Sequence, residues 1–450
     1  MTILKYIHIF FLSLLASELS VASFSSGGQG FALYLAFGSL LIAFGYLHYS
    51  KSLFRSQLFI ILFIIMFFYR MYEPQFWYLT LSSENNTLIG LRMKILSLIQ
   101  YMFGHLAIFI LGLYIRNRNP ILFRFDSIFI ASLFNLAFWY STSVLSLDIF
   151  LPLYATQLIE GMILPFVLFN VLFLSLIFEF FKSTVSLKFR HSAFYLTLLV
   201  LLLLVNNLNA EKTPPLPVEV VAIAEKSIVG DSPDFFENMK SLSLKSNSDT
   251  NKLYIWPEAR FVFNRKNEAK IEELQKILIN KLPGTHMVGI FLVKNDESQM
   301  SSNRYYQFTE STSMYIKKSA PVPFQEDASL FWFINPLDIK MSFNVEKGDG
   351  KNIMKYQKHR FSVFMCNELM NVSNILSQDL GDYIISPSNP PLQLGRLNED
   401  LLNFYSKVLK NITNRTVLKI SSKQEISLFS SEEEFISKET VKYFEQFRDQ

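Results

Sequence analysis

Between residues 1 and 207 the chain carries one long apolar run after another. About 20 consecutive apolar residues have one suitable solvent, the bilayer core, where only helices and closed barrels satisfy their own backbone polar groups. Somewhat shorter runs are tolerated where the flanks can snorkel, and seven candidate spans emerge, at 6–22, 31–47, 58–69, 95–115, 127–147, 161–181 and 193–205, the third being the weakest because it is short between Arg55 and Arg70. Across the whole chain 50% of residues are hydrophobic and 18% charged, too apolar for a soluble protein if spread evenly. The excess lies before residue 207, after which Lys, Glu, Asp, Ser and Asn reach the frequency of a water-soluble domain. The sequence therefore predicts a membrane α-helical bundle over 1–207, a linker over 208–217 stiffened by Pro214, Pro215 and Pro217, and a folded domain over 218–450.

Basic residues in the connecting segments set the orientation, because Lys and Arg accumulate on the cytoplasmic side. Lys5, then Lys51 and Arg55, then Arg116, Arg118 and Arg124, then Lys182, Lys188 and Arg190 fall on one side. The opposite segments at 25–29 and 148–157 carry none, and 72–94 has Arg92 and Lys94 only at its far end. An inside amino terminus and seven crossings put the soluble half outside the cytoplasm. Lys5, the apolar core behind it and Ser20 to Ser23 also fit a cleavable signal, but cleavage leaves six spans and the same sidedness. Glu18, His105, Asp126, Glu160 and Glu179 lie within or beside the spans, where ionisable groups can mark a transport path, but most sit near span ends and no broken-helix repeat accompanies them, so they read as interfacial or paired groups. A net charge of +4 without any long basic run excludes nucleic acid as a partner.

The second half alternates strand-like and helix-like segments. Strands are expected at 218–224, 252–256, 287–293, 361–365 and 383–386. Residues 267–281 carry Ile271, Leu274, Ile277 and Leu278, with Leu282 next, at the spacing of an amphipathic helix. The pattern indicates a layered α/β domain. Cys366 is the chain's one cysteine, which rules out an intrachain disulfide. A lone cysteine is ordinarily a small buried apolar residue, so its neighbours decide its meaning.

Three segments give it a chemical context. In the first, a strand runs into Trp256, Pro257 and Glu258, so that proline stops the ladder and a carboxylate stands at the strand's end. The second places Lys317 and Lys318 ahead of a proline-stiffened loop through Val322, Pro323, Phe324 and Glu326. In the third, an apolar strand delivers Cys366 into a polar turn with Asn367 and Glu368. This order, strand-Trp-Pro-Glu, then Lys before Val-Pro-Phe-x-Glu, then strand-Cys-x-Glu, resembles the nitrilase superfamily. With a multi-spanning region ahead of it, the chain resembles apolipoprotein N-acyltransferases in particular.

The resemblance implies an α-β-β-α sandwich and a catalytic set of Glu258, Lys318 and Cys366. Lys318 is preferred over Lys317 because its distance to Val322 matches the family pattern. Glu326 and Glu368 match accessory glutamates that orient the lysine and the nucleophile loop. A thiol is only about 3% ionised at neutral pH, so a cysteine nucleophile needs a base and positive charge beside it. The implied reaction takes a fatty acyl chain from a phospholipid, holds it as a thioester on Cys366, and passes it to the amino-terminal cysteine of a diacylated lipoprotein. Neither cofactor nor metal is implied, and the implied location is the bacterial inner membrane with the catalytic domain on the periplasmic side. Two other classes share the motifs: a membrane-tethered amidase or hydrolase, and a non-catalytic lipid- or lipoprotein-binding member.

Several positions depart from the family. Asn367 stands where a tyrosine is usual, the segment from Ser386 to Pro391 replaces a Thr-Asn-Asp-x-Trp stretch, and Arg415 matches a family arginine only loosely. No apolar run follows Glu433, where the family has a last membrane helix, so the carboxyl terminus is expected outside. The orientation has a direct check. A phosphatase reporter fused after residue 207 should be active in cells and one fused within 116–124 inactive; the reverse pattern would overturn the topology.

Overall fold

The computed structural model describes residues 2–25, 32–50, 52–82, short helical pieces between 106 and 202, and residues 213–217, 220–223, 228–229, 251–294, 300–319, 345–389, 395–422 and 425–430. The chain divides into two compact units. One comprises 1–211 with 372–376 and 393–414, the other 212–371 with 377–392 and 415–450.

In the first unit the described helices are α1 (Thr2–Ser25), α2 (Ala32–Tyr49), α3 (Leu53–Ser82), α5 (Val372–Leu376) and α6 (Gly395–Thr413). Among the described residues, Ile3–Phe24 is the one helical stretch long and apolar enough to cross a membrane, and Leu53–Phe67 is a shorter apolar helix. The expected spans at 127–147 and 161–181 lie almost wholly outside the described residues, and those at 95–115 and 193–205 partly so. Helix α1 buries Ile9, Ser13, Ala16, Ser17, Ser20, Ser23 and Phe24, one face at three- and four-residue spacing. These mostly small side chains allow the helix backbones to approach closely. Two hydroxyls cross the gap: Ser39 Oγ donates to the Ala16 carbonyl at 2.7 Å, and Ser13 Oγ reaches the Phe59 carbonyl at 3.3 Å. Phe59, Phe63 and Phe67 stack along α3, and Phe24 of α1 lies between Phe67 and Phe404 of α6, at 5.8 and 4.9 Å between ring centres. Glu18 on α1 pairs with Arg70 on α3 at 3.0 Å.

The second unit is built on two sheets. The seven-stranded sheet contains β1 (Val220–Ala222), β2 (Ile228–Val229), β3 (Leu253–Ile255), β4 (Phe261–Asn264), β5 (Thr285–Val293), β6 (Ser302–Phe308) and β7 (Ser313–Lys317). The five-stranded sheet contains β8 (Ile353–Tyr356), β9 (His359–Val363), β10 (Tyr383–Ser388), β11 (Thr416–Ser421) and β12 (Glu425–Phe429), in the order β12-β11-β10-β9-β8. Facing side chains from both sheets make one apolar layer that includes Ile255, Met287, Tyr305, Phe361, Val363 and Ile385. On the other face of the larger sheet lies α4 (Lys270–Lys281), which buries Ile271, Leu274, Ile277 and Leu278 against Phe261, Phe263 and Ile290. Helix, sheet and sheet thus form three layers.

One feature of the larger sheet places the first motif. Strand β6 pairs with β5 from His286 to Leu292 along one edge. Both β3 and β4 therefore use the other edge, in parallel, β3 up to Met287 and β4 from Ile290. The chain leaves this edge after Ile255 and rejoins it at Phe261, and the excursion between them carries Trp256, Pro257 and Glu258.

Trp256 roots this excursion in the core. Its indole N–H donates to Nδ1 of His286 at 3.1 Å, and Nε2 of His286 lies 2.8 Å from the Leu282 carbonyl. Only the neutral ring protonated on Nε2 satisfies both contacts. Burial holds this imidazole down at about 4 against its ordinary 6.5, although the Leu282 carbonyl pulls the other way. Above pH 6.5 neither folded nor unfolded chain protonates the ring. As pH falls from there to about 4, only the unfolded chain takes up the proton, so stability is lost with acidification, by about 3 kcal/mol in all. Thermal unfolding of the detergent-solubilised protein should show this decline between pH 7 and 5. His286→Gln, which keeps one acceptor and one donor, should flatten it, and an unchanged slope would remove His286 as its cause.

Candidate active site

The site is assembled from three chain segments at one end of the layer between the sheets. Tyr305 on β6 and Ile316 on β7 belong to that layer, and Asn303 and Lys318, each two residues away, continue the same face beyond its apolar part.

Glu258 sits on the excursion from β5 and is only 3% exposed. Several contacts define its backbone. Trp256 N–H donates to the Met287 carbonyl at 2.8 Å, the Tyr305 hydroxyl donates to the Trp256 carbonyl at 2.7 Å, and Ala259 takes a φ of 48° to turn the chain back. Burial raises the Tyr305 phenol well above its ordinary value, the Trp256 carbonyl opposes that, and the Glu258 charge adds to it. Tyr305 therefore stays a donor throughout the physiological range. Opposite the excursion lies Gly289, where a Cβ would stand 2.5 Å from the Pro257 carbonyl and 2.6 Å from Cα of Glu258. Glycine is required there because the backbone bearing the carboxylate rests on it.

Lys318 continues β7. Its N–H donates to the Asn303 carbonyl at 3.0 Å and its carbonyl accepts from Gly348 N–H at 2.8 Å. A Cβ on Gly348 would collide with the Lys317 carbonyl, so this backbone too is closely held. Lys318 Nζ lies 2.9 Å from Glu258 Oε1, with the two side chains 1% and 4% exposed. Asn303 Nδ2 donates to that same oxygen at 2.7 Å. Both donors fall on Oε1, and among the described residues none donates to Oε2. Lys317 points elsewhere, pairing with Glu346 at 2.8 Å, while Glu346 also takes Arg265 at 2.6 Å. Partial burial alone would raise the Glu346 carboxyl, but hydrogen bonds and charge from Lys317 and Arg265 outweigh it and hold the group at about 2. The two neighbouring lysines are thus sorted, one to a half-buried surface cluster and one to the buried carboxylate.

Cys366 follows β9, is 7% exposed, and has a φ of 51°, the left-handed region that a side chain enters only when its surroundings impose it. It opens a 3-10 turn, Cys366–Met370. Glu368 within that turn reaches in two directions. Its Oε2 accepts from Met365 N–H at 2.7 Å, and its Oε1 accepts from Ser319 N–H at 2.6 Å and Ser319 Oγ at 2.7 Å. One buried carboxylate thereby bridges the residue before Cys366 and the residue after Lys318.

Of the residues singled out in the sequence, Glu258 and Lys318 meet directly, and Glu368 joins the lysine segment to the cysteine segment. Glu326 lies outside the described residues, as does the side chain of Asn367. The divergent stretch that begins at Ser386 starts as strand, since β10 extends through Pro387 to Ser388. Proline is tolerated because pairing with β9 ends at Ile385, whose carbonyl takes Phe364 N–H. Two residues on, the missing N–H falls on the edge that β9 has vacated. Arg415 immediately precedes β11. Among the described residues no three His, Cys, Asp or Glu side chains converge as metal ligands.

No protein-family model matches the chain, and no curated protein matches it.

Sequence reasoning missed Asn303, Tyr305, Gly289 and Ser319, which hold the site from behind. Only Gly289 carried a signal, as a glycine inside a strand pattern, which marks a close backbone approach. Gly289→Ala should destabilise the protein by about 1–3 kcal/mol, the usual cost of an overpacked backbone contact. Unfolding at the wild-type temperature would mean that the Glu258 excursion does not rest there.

Proposed function

We propose that this chain is a membrane-bound acyltransferase of the apolipoprotein N-acyltransferase type, with Cys366 as nucleophile, Glu258 as base and Lys318 as oxyanion donor. The observation carrying this reading is the buried pair of Lys318 Nζ and Glu258 Oε1, tied through Ser319 and Glu368 to the residue preceding Cys366. A surface lysine and a core cysteine need no such arrangement. A buried base beside a buried cation is the pairing that makes a thiolate and then stabilises the charge it creates.

The steps follow from those roles. Glu258 takes the Cys366 proton, and the thiolate attacks an ester carbonyl of a phospholipid. Negative charge passes to the carbonyl oxygen, where Lys318 donates to it, a contribution of about 3–4 kcal/mol per donor. The tetrahedral adduct collapses, the C–O bond breaks, and the lysophospholipid oxygen leaves with the proton held by Glu258. A neutral amine then attacks the thioester, gives a proton to Glu258, and the C–S bond breaks to release amide and thiol. The amine belongs, in this reading, to the amino-terminal cysteine of a diacylated lipoprotein, on the outer side of a bacterial inner membrane.

Purified protein incubated with phospholipid should gain the mass of one acyl chain, removable by hydroxylamine and absent in Cys366→Ala. Adding a diacylated lipopeptide should discharge it as an amide. Free fatty acid as the sole product would instead identify a hydrolase, and full activity of Cys366→Ala would overturn the covalent mechanism.

A further inference from the structure

Asn303 on β6 belongs to none of the three motifs, and its side chain is only 2% exposed. Its main-chain carbonyl holds the N–H of Lys318 at 3.0 Å, and its Nδ2 donates to Glu258 Oε1 at 2.7 Å. Its Oδ1 is buried and, among the described residues, has no hydrogen-bond partner. A buried acceptor left unpaired is a net cost, and an apolar side chain of similar shape would avoid it. The amide therefore contributes through its one side-chain bond, to the carboxylate that also takes Lys318.

That bond selects an orientation. With Lys318 as the one donor, the Glu258 carboxylate is free to turn and clasp the ammonium with both oxygens. A second donor fixed on Oε1 holds both bonds on that oxygen and leaves Oε2 facing away from them. Among the described residues, Lys318 pairs with this carboxylate, and the buried Tyr305 hydroxyl lies within its field, with its own bond going to the Trp256 carbonyl. Neither replaces the Asn303 contact.

We infer that Asn303 is a positioning residue: it pins Glu258 Oε1 so that Oε2 is the atom that takes the proton of Cys366 and later that of the acceptor amine. This rests on the reading above of Glu258 as the base. It adds the division of labour between the two carboxylate oxygens and the residue that enforces it.

The test uses the one cysteine of the chain as its own reporter. Full-length protein in detergent is alkylated with iodoacetamide from about pH 6 to 9, and the single adduct is followed by intact mass. The wild type is compared with Asn303→Leu, Glu258→Gln and the double variant, each first shown to unfold cooperatively. Asn303→Ala replaces Asn303→Leu if the latter does not fold. Asn303→Leu should still unfold cooperatively, since the unpaired buried acceptor it removes offsets part of the bond to Glu258 that it loses. Its alkylation at pH 7 should nevertheless slow about tenfold or more, the scale of a lost hydrogen bond to a charged group, and its pH profile should move upward. In the Glu258→Gln background the same substitution should change nothing, because a residue acting through Glu258 has no effect once the base is gone. Alkylation of Asn303→Leu at the wild-type rate, multiplying rather than saturating effects in the double variant, or a wild-type thiol inert even at pH 9 would each overturn the inference. Absence of acyl transfer by the wild type would sink the proposed function while leaving this result standing. Indifference of alkylation to Glu258→Gln would sink the base assignment and Asn303 with it.

Discussion

Two opposite charges removed from water set the terms for the second unit. Glu258 and Lys318 are almost fully enclosed, and the desolvation of each is repaid only if the geometry between them is good and the remaining polar atoms are engaged. The hydrogen bond between the two charges keeps its strength only over a narrow range of distance and angle, so both backbones must be held closely. That requirement explains why so many nearby groups have no chemical role of their own. Tyr305 fastens the carbonyl ahead of the proline, Gly289 offers a flat surface for the excursion, Gly348 does the same for the lysine segment, and Ala259 and Cys366 accept strained backbone angles.

The two sheets contribute unequal parts. The larger one supplies both charges, from an interrupted edge and from the end of a hairpin, while the smaller one supplies the cysteine. Glu368 is the link, because its two oxygens are divided between the two sources. The carboxylate lies inside the turn that begins with Cys366, so the segment that bends the chain at the cysteine also fastens it to Ser319, next to Lys318.

Much of this was legible in the sequence where burial and punctuation coincide. The apolar strands of the core, the amphipathic helix α4 and the proline that ejects Glu258 from the ladder all left local signals. The choice of Lys318 over Lys317 rested on spacing, and the two lysines do have different partners, Glu258 and Glu346. Strand β6 was unreadable because its buried residues are Ser302, Asn303, Arg304, Tyr305, Tyr306, Gln307 and Phe308, a polar string whose burial is compensated by partners far away in sequence. Asn303 was invisible for the same reason, since its partner is 45 positions away. The helix α6, which lies between β10 and β11 along the chain, belongs with the apolar helices of the first unit through Phe404, a long-range contact that no local pattern announces.

The interrupted edge of β5 carries one more implication. Its two flanking strands, β3 and β4, are registered on the same neighbour, and β6 runs unbroken along the opposite side. The sheet therefore keeps its alignment whatever the length of the stretch between Ile255 and Phe261. Insertions or deletions confined to that stretch alter how far the carboxylate extends without shifting any strand, which makes reach at this position a property that evolution can vary separately from the fold.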